Sequence, residues 1–350
     1  MLNVNAEYLD NLPVNFILCT ERTGSSLLSL MLNLHSEILS PSEEPFAIYF
    51  WKKYRKKNSW NEIDIIEYVD SFYLIADKNT DLYFSKRDVF LSNLLIKKEI
   101  LNFERIIKLT YLHFLDTKDK DQIAIIIDKQ IKYFFHLDLL YHIFPNAKCV
   151  VLTRDVRDNI VSKKNRKLNW NQNPFFLAAL WNDTYSNCSK LNGHSFLVIK
   201  YELFMANPEN TLKEICRFFR LNFDPRMLQT DGVYESFLEK KKNEIDPDFL
   251  LRLKNFHSGL SQKPNSDKIG QYINSINPIV LEQIEHICGD NLDRFSYQYN
   301  KKYFNHFSIK VIYFRFLAKC YRRYLLLGYL HIPLSLKLLI KKWRRKKTVV

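Results

Sequence analysis

The sharpest pattern of apolar and polar positions in this chain lies near its start. Five of the six residues from Val14 to Cys19 are apolar, and Pro13 precedes them. That is the pattern of a short strand buried on both faces. Thr20 to Ser26 are small or polar, with one glycine, Gly24, and one guanidinium, Arg22. From Ser25 the apolar residues recur at Leu27, Leu28, Leu30, Met31 and Leu34, which predicts a helix starting there. A buried strand, a small-residue turn and a helix N-terminus form an anion cradle, because backbone N–H groups and the helix dipole face the turn. The same arrangement can simply reverse the chain, so taken alone it does not establish a phosphate site. It differs from the ATP/GTP loop, which needs two glycines and a lysine. Here Ser25 stands where that lysine would be, and Arg22 supplies the charge.

Similar blocks follow. Ile123 to Asp128 reads as a second buried strand, ending at Lys129, and Tyr133 to Phe144 as a helix that stops at Pro145. Lys148 to Thr153 reads as a third strand, running into Arg154, Asp155 and Arg157. Asn171 to Leu191 is expected to be helical, and Phe196 to Tyr201 a fourth strand. Asn207 and Pro208 suit the cap and first position of a helix over 209–219. Strands alternating with helices predict an α/β fold with a doubly wound parallel sheet. Ligands of such sheets sit beyond the carboxyl ends of the strands, and Arg22, Lys129, Arg154 and Tyr201 all fall at such ends. Residues 47–122 are rich in aromatics and lysines, with helical spacing over 62–76 and 91–115, and read as a helical insertion. Before it, His35 to Phe46 forms a loop with two adjacent carboxylates, Glu43 and Glu44.

Charge changes the picture once it is located. The net charge is +14, yet residues 301–350 hold 14 Lys/Arg and no Asp/Glu, which leaves 38 charges of each sign on the other 300 residues. The body therefore lacks the basic surface of a nucleic-acid binder, and the basicity belongs to an appendage over 301–350, following a core domain over 1–300. The six cysteines are scattered without a C-x-x-C pair, so neither zinc nor a disulfide framework is expected. Cys19 and Cys149 fall in apolar runs and read as small core residues. The N-terminus shows no signal peptide, and a reducing, cytoplasmic setting is expected.

Three motifs in fixed order resemble those of sulfotransferases that use 3′-phosphoadenosine 5′-phosphosulfate (PAPS), the broad group that includes bacterial and Golgi protein-tyrosine sulfotransferases. Cys19-Thr-Glu-Arg-Thr-Gly-Ser-Ser-Leu-Leu28 resembles the 5′-phosphosulfate loop. Phe144-Pro-Asn-Ala-Lys-Cys-Val-Val-Leu-Thr-Arg154, with Ser162 eight residues on, resembles the 3′-phosphate motif. Val198-Ile-Lys-Tyr201-Glu202-Leu, followed by Asn207-Pro208-Glu, resembles the third landmark. The resemblance implies a P-loop-like parallel sheet flanked by helices and an enzyme that needs no metal. It implies that Arg22, Thr23, Gly24, Ser25 and Ser26 hold the 5′-phosphate, that Arg154 and Ser162 clamp the 3′-phosphate, and that Tyr201 lines the nucleotide site. It also implies that Lys129 supports the bridging oxygen as charge builds on the leaving group. Lys129 is followed by Gln130-Ile131 rather than the family's usual Thr-Pro or Asp-Pro, and Glu21 replaces the loop's usual proline. Glu43 lies eight residues after His35, the spacing of the catalytic glutamate in the resembled enzymes; Glu43 and Glu44 are the candidates for general base. Arg157 could instead pair with Asp155 across a turn. Ser266, Lys268 and Tyr272 lie where the family has a late segment over the nucleotide.

The reading is a sulfotransferase acting on a carbohydrate, glycolipid or other hydroxyl acceptor. The alternatives are a kinase-like phosphotransferase, disfavoured by the missing lysine, and a non-catalytic, membrane-associated nucleotide-binding protein. From Tyr303 to Lys347 aromatics, leucines and basic residues interleave, broken by Gly328, His331 and Pro333, too short to span a bilayer. Two basic amphipathic helices on an anionic membrane surface, with Trp343 at the interface, fit that pattern; a helical pair packed on the body or on a second subunit is the other reading.

Overall fold

A computed structural model describes residues 4–41, 45–75, 83–114, 118–166, 171–244, 246–256, 260, 264–300, 309–328 and 332–347. Five strands form one parallel sheet: β1 (Val14–Cys19), β2 (Ile38–Leu39), β3 (Ile125–Gln130), β4 (Cys149–Thr153) and β5 (Phe196–Lys200), in the spatial order β2-β3-β1-β4-β5. The helices are α1 (Ala6–Asn11), α2 (Ser25–Asn33), α3 (Phe46–Tyr54), α4 (Glu62–Ile75), α5 (Arg87–Ile96), α6 (Phe103–Leu112), α7 (Leu137–Ile143), α8 (Val156–Arg166) and α9 (Pro174–Tyr185). They continue with α10 (Tyr201–Ala206), α11 (Pro208–Phe219), α12 (Val233–Lys241), α13 (Pro247–Phe256), α14 (Tyr272–Ser275), α15 (Pro278–Arg294), α16 (Ile309–Cys320) and α17 (Leu334–Lys347).

The central strand explains the layering. All six residues of β1 are buried. Phe16 and Leu18 join one apolar cluster, with Ile126, Val151 and residues of α3, α6 and α9. Ile17 and Cys19 join the other, with Ile127, Val150 and residues of α2 and α11. Alternate side chains thus feed two cores, and helices cover both sheet faces. Asn15, the one polar residue of β1, is satisfied because its Oδ1 accepts from the backbone N–H of Lys148 at 2.9 Å. Cys19 and Cys149 are buried within these cores.

The expected elements are present, with shifted ends. β3 runs three residues further than its apolar run, which ends at Ile127, so Lys129 lies inside the strand, opposite Ile17, rather than just beyond it. Asp128 can stay in a strand because Tyr111, Tyr133 and Gln130 all donate to its buried carboxylate, at 2.6, 2.6 and 3.0 Å. β5 ends at Lys200, and Tyr201 opens α10 instead of closing the strand. The span 91–115 is two helices, because Asn102 caps a new one by accepting from the backbone N–H of Arg105 at 2.8 Å. Asn207 caps α11 as expected, with Pro208 at its first position.

Residues 47–122 contain most of α3 and all of α4 to α6, packed through rings. Trp60 stacks on Tyr54 at 5.1 Å, and Phe50, Tyr68, Phe72 and Phe90 continue the cluster. In the C-terminal stretch, α16 packs on α9 through buried Val311 and Ala318, and Arg322 pairs with Asp183 at 2.7 Å. α17 meets α3 and α4, with buried Lys337 5.0 Å from the centre of the Tyr49 ring. Among the described residues no helix is long and apolar enough to cross a membrane.

Candidate active site

The β1–α2 turn is shaped by two residues in the left-handed region, Arg22 (φ 65°) and Gly24 (φ 81°). Thr23 braces it from inside, its hydroxyl donating to the Thr20 carbonyl at 2.9 Å. Gly24 is the N-cap of α2 and offers no side-chain cap, so the first N–H groups of the helix face the turn. A Cβ at Gly24 would lie 2.9 Å from Tyr201 Cδ2. Gly24→Ala therefore meets both a strained φ and an aromatic wall. It is expected to lower stability by about 1–3 kcal/mol, read as a fall in melting temperature; an unchanged melt would contradict this packing.

One face of α8 fastens the turn. Asn159 Nδ2 donates to the Glu21 carbonyl at 2.8 Å, Lys163 pairs with the Glu21 carboxylate at 3.2 Å, and Ser162 Oγ accepts from Arg22 Nε at 3.1 Å. Residues 159, 162, 163 and 166 share a face at helical spacing, which places Arg166 beside Ser162. Glu21, which stands where the resembled loop has proline, is half-exposed and engaged in this pair.

Arg154 leaves the end of β4 and crosses to the turn. Its Nη1 donates to the Arg22 carbonyl at 3.1 Å and its Nη2 to the Lys268 carbonyl at 2.7 Å. The guanidinium lies 4.2 Å from the centre of the Tyr201 ring, and the Trp181 indole N–H holds the Arg154 carbonyl at 3.1 Å. Its Nε is buried without a hydrogen-bond partner among the described residues. Arg22, Arg154, Arg166 and Lys268 lie near enough to repel one another. Burial, then Arg166 and Arg154, push the Arg22 pKa down; burial, then Arg22, Arg166 and Arg154, do the same to Lys268. Among the described residues no carboxylate pairs with Arg22, Arg154 or Lys268 at ion-pair distance. Such a cluster is complementary to a multiply charged anion.

On the other side of the turn, Lys129 Nζ lies 3.4 Å from Ser26 Oγ. Burial pushes the Lys129 pKa down to about 8, partly opposed by Cys19. Ser25 is buried at the start of α2. The structure therefore brings Arg22, Thr23, Gly24, Ser25, Ser26, Lys129, Arg154, Ser162 and Tyr201 around one turn. Glu43 and Glu44 lie outside the described residues.

Other candidates have different duties. Arg157 is clamped by Asp155, by Glu285 at 2.6 Å and by the Gln298 carbonyl at 2.9 Å, beneath the Tyr272 ring at 4.3 Å. Its pairing with Asp155 spans only two residues, as the turn reading anticipated, and its remaining donors tie α8 to α15. His35 is structural: its Nδ1 accepts from the Glu37 N–H at 3.0 Å, so Nε2 donates to the Asn222 carbonyl at 2.8 Å. Ser266 is exposed. Tyr272 and Gly270 give their backbone N–H groups to Asp158, at 3.0 and 2.7 Å, which brings Lys268 to Arg154. Asn159, Arg166 and Trp181 were not anticipated. The i, i+4 step from Ser162 was a readable signal for Arg166; nothing local marks Trp181. Among the described residues no group of three or more His, Cys, Asp or Glu side chains could hold a metal ion.

No curated protein sequence matches the chain significantly. Its fold is similar to the sulfotransferase domain from the Synechococcus PCC 7002 olefin synthase, at 18% identity and a TM-score of 0.54, over 82% of this chain and 96% of that one. It is also similar to the sulfotransferase domain from the curacin biosynthetic pathway, at 19% identity and a TM-score of 0.51, over 83% and 99% of the two chains. These likenesses establish a shared fold. The sequence itself goes further: the profile of the sulfotransferase family matches residues 13–225, from the start of β1 to beyond α11. More than half of the chain is covered, including the cationic turn and its supporting helix, and the chain is an enzyme of the sulfotransferase family.

Proposed function

We propose that this enzyme takes a sulfuryl group from PAPS and gives it to an acceptor hydroxyl, with a carbohydrate or glycolipid as the acceptor class. The observation that carries the donor assignment is the gathering of Arg22, Arg154, Arg166 and Lys268 around a helix N-terminus. Clustered cations that repel one another, with Arg154 buried and Arg22 half-buried among them, favour a ligand with separated phosphate charges. The basic C-terminal helices favour an acceptor carried on or near lipid.

When bound, PAPS would supply the sulfuryl group and a stable phosphate leaving group. The chain's own residues divide the remaining work. Arg22, the backbone N–H groups of 23–26 and the Ser25 and Ser26 hydroxyls would hold the 5′-phosphate. Arg154 and Ser162 would clamp the 3′-phosphate, with Tyr201 supporting the Arg154 plane. Lys129, beside Ser26, would offset negative charge on the departing oxygen. Glu43 or Glu44 would accept the proton of the attacking hydroxyl. Sulfuryl transfer then depends on alignment and electrostatics.

The donor assignment is tested by thermal shift with 3′,5′-adenosine bisphosphate against ATP. A clear rise for the former and little for ATP is expected; the reverse order would favour a phosphotransferase. Label transfer from radiolabelled PAPS to a panel of glycans and glycolipids then tests the acceptor. Glu43→Gln or Glu44→Gln is expected to reduce transfer by about 100-fold or more while leaving the thermal shift intact. Near-normal turnover in both variants would remove the glutamate assignment.

A further inference from the structure

The C-terminal helix α16 has two distinct faces. Val311 and Ala318 are fully buried against the body, with Phe314 and Leu317 packed beside them. The opposite face carries Ile309 at 86% exposure, Ile312 at 56%, Tyr313 at 57% and Phe316 at 65%. Four large apolar residues on a single helix are left in water while its other side is already satisfied. The exposed residues Lys310, Arg315, Lys319 and Arg323 are interleaved with them or follow directly. α17 repeats the arrangement, with Leu334 and Lys337 buried and Leu336 and Leu339 exposed. No acidic residue occurs anywhere in 301–350.

We infer that the outward face of α16 docks onto an anionic lipid bilayer, with Ile309, Ile312, Tyr313 and Phe316 entering the headgroup boundary and the basic residues meeting acidic headgroups. Charge complementarity selects this occupant. A protein groove would cover the apolar residues but would need many carboxylates to match a stretch that carries 14 Lys/Arg and no acidic residue of its own. A bilayer containing acidic lipids offers both features over an extended plane. A second copy of this chain would bring like charges together. The depth is interfacial, since no described helix is long and apolar enough to cross. The inference does not depend on the donor chemistry, because it rests on the exposed apolar residues of α16, none of which is assigned to the donor site.

The test uses the full chain and vesicles of phosphatidylcholine alone or with phosphatidylserine, read by co-sedimentation at low and high salt. Binding to the acidic vesicles is expected to exceed that to neutral vesicles by about tenfold or more and to fall with salt. Ile312→Glu with Phe316→Glu should weaken it by at least about tenfold. Should that variant fail to fold, Lys319→Glu with Arg323→Glu provides an independent reading and should also flatten the salt dependence. Equal binding to both lipids, no binding, or folded variants that bind like the parent would overturn the inference. So would a dimer in sizing experiments that these substitutions dissociate without any vesicle binding. Thermal shift by 3′,5′-adenosine bisphosphate on the same samples reports the donor site separately.

Discussion

Arg154→Ala is expected to weaken binding of 3′,5′-adenosine bisphosphate by about 100-fold. Two charge-assisted hydrogen bonds to a phosphate are together worth about 3 kcal/mol at the low end of their range, which is about two decades of affinity. The residue is oriented before any ligand arrives: Tyr201 supports its plane, Trp181 holds its backbone, and the carbonyls of Arg22 and Lys268 fix two of its nitrogens. Arg154→Lys should recover little, because an ammonium cannot present a planar fork. Titration calorimetry checks the affinity and circular dichroism the fold. A folded Arg154→Ala protein that binds within threefold of the parent would remove this residue from the donor site.

Lys129→Ala is expected to lower kcat by about 100-fold to 1,000-fold, the usual effect of removing a donor aimed at developing charge, with a smaller change in affinity for the adenosine bisphosphate. Its pH signature can be stated in advance. Burial brings the Lys129 pKa down to about 8, so the free enzyme loses this cation as pH rises through about 8. The profile of kcat/KM should descend on that limb. A bound anion favours the charged form, so the corresponding limb of kcat should lie at higher pH. The linkage to stability has the opposite sense. Between about 8 and the ordinary lysine value near 10.5, the unfolded chain holds more protons at this site, so its contribution to stability rises with pH over that window. A kcat/KM profile flat from pH 7 to 9.5 would contradict the assignment.

Much of the sheet was legible because parallel strands buried on both faces are written as near-continuous apolar runs. Val14 to Cys19 and Cys149 to Thr153 are such runs, and their extents were read almost without error. β3 was misjudged at its end because a buried carboxylate and a buried lysine look like the start of a loop. Tyr111, in a distant helix, and Tyr133, beyond the strand, join Gln130 in making Asp128 tolerable there. β2 went unread because two residues carry no period. The gathering of Arg22, Arg154 and Tyr201 followed from strand ends and could be expected. Arg166 was readable only through its i, i+4 step from Ser162, since no motif residue marks it. Likewise, the hold of Lys268 on Arg154 runs through a backbone carbonyl, which no residue type announces.

The central position of β1 has a consequence for synthesis. Its neighbours in the sheet lie far along the chain: Val14 pairs with Ile126, and Phe16 with Cys149. At roughly 5–20 residues per second, this apolar strand leaves the ribosome some seconds before the first of them exists. During that interval it has no sheet to join, and an unpaired strand of this kind is prone to stray association. Production of this enzyme in a heterologous host should therefore respond to holding chaperones and to slower growth temperature more than to changes at the molecular surface.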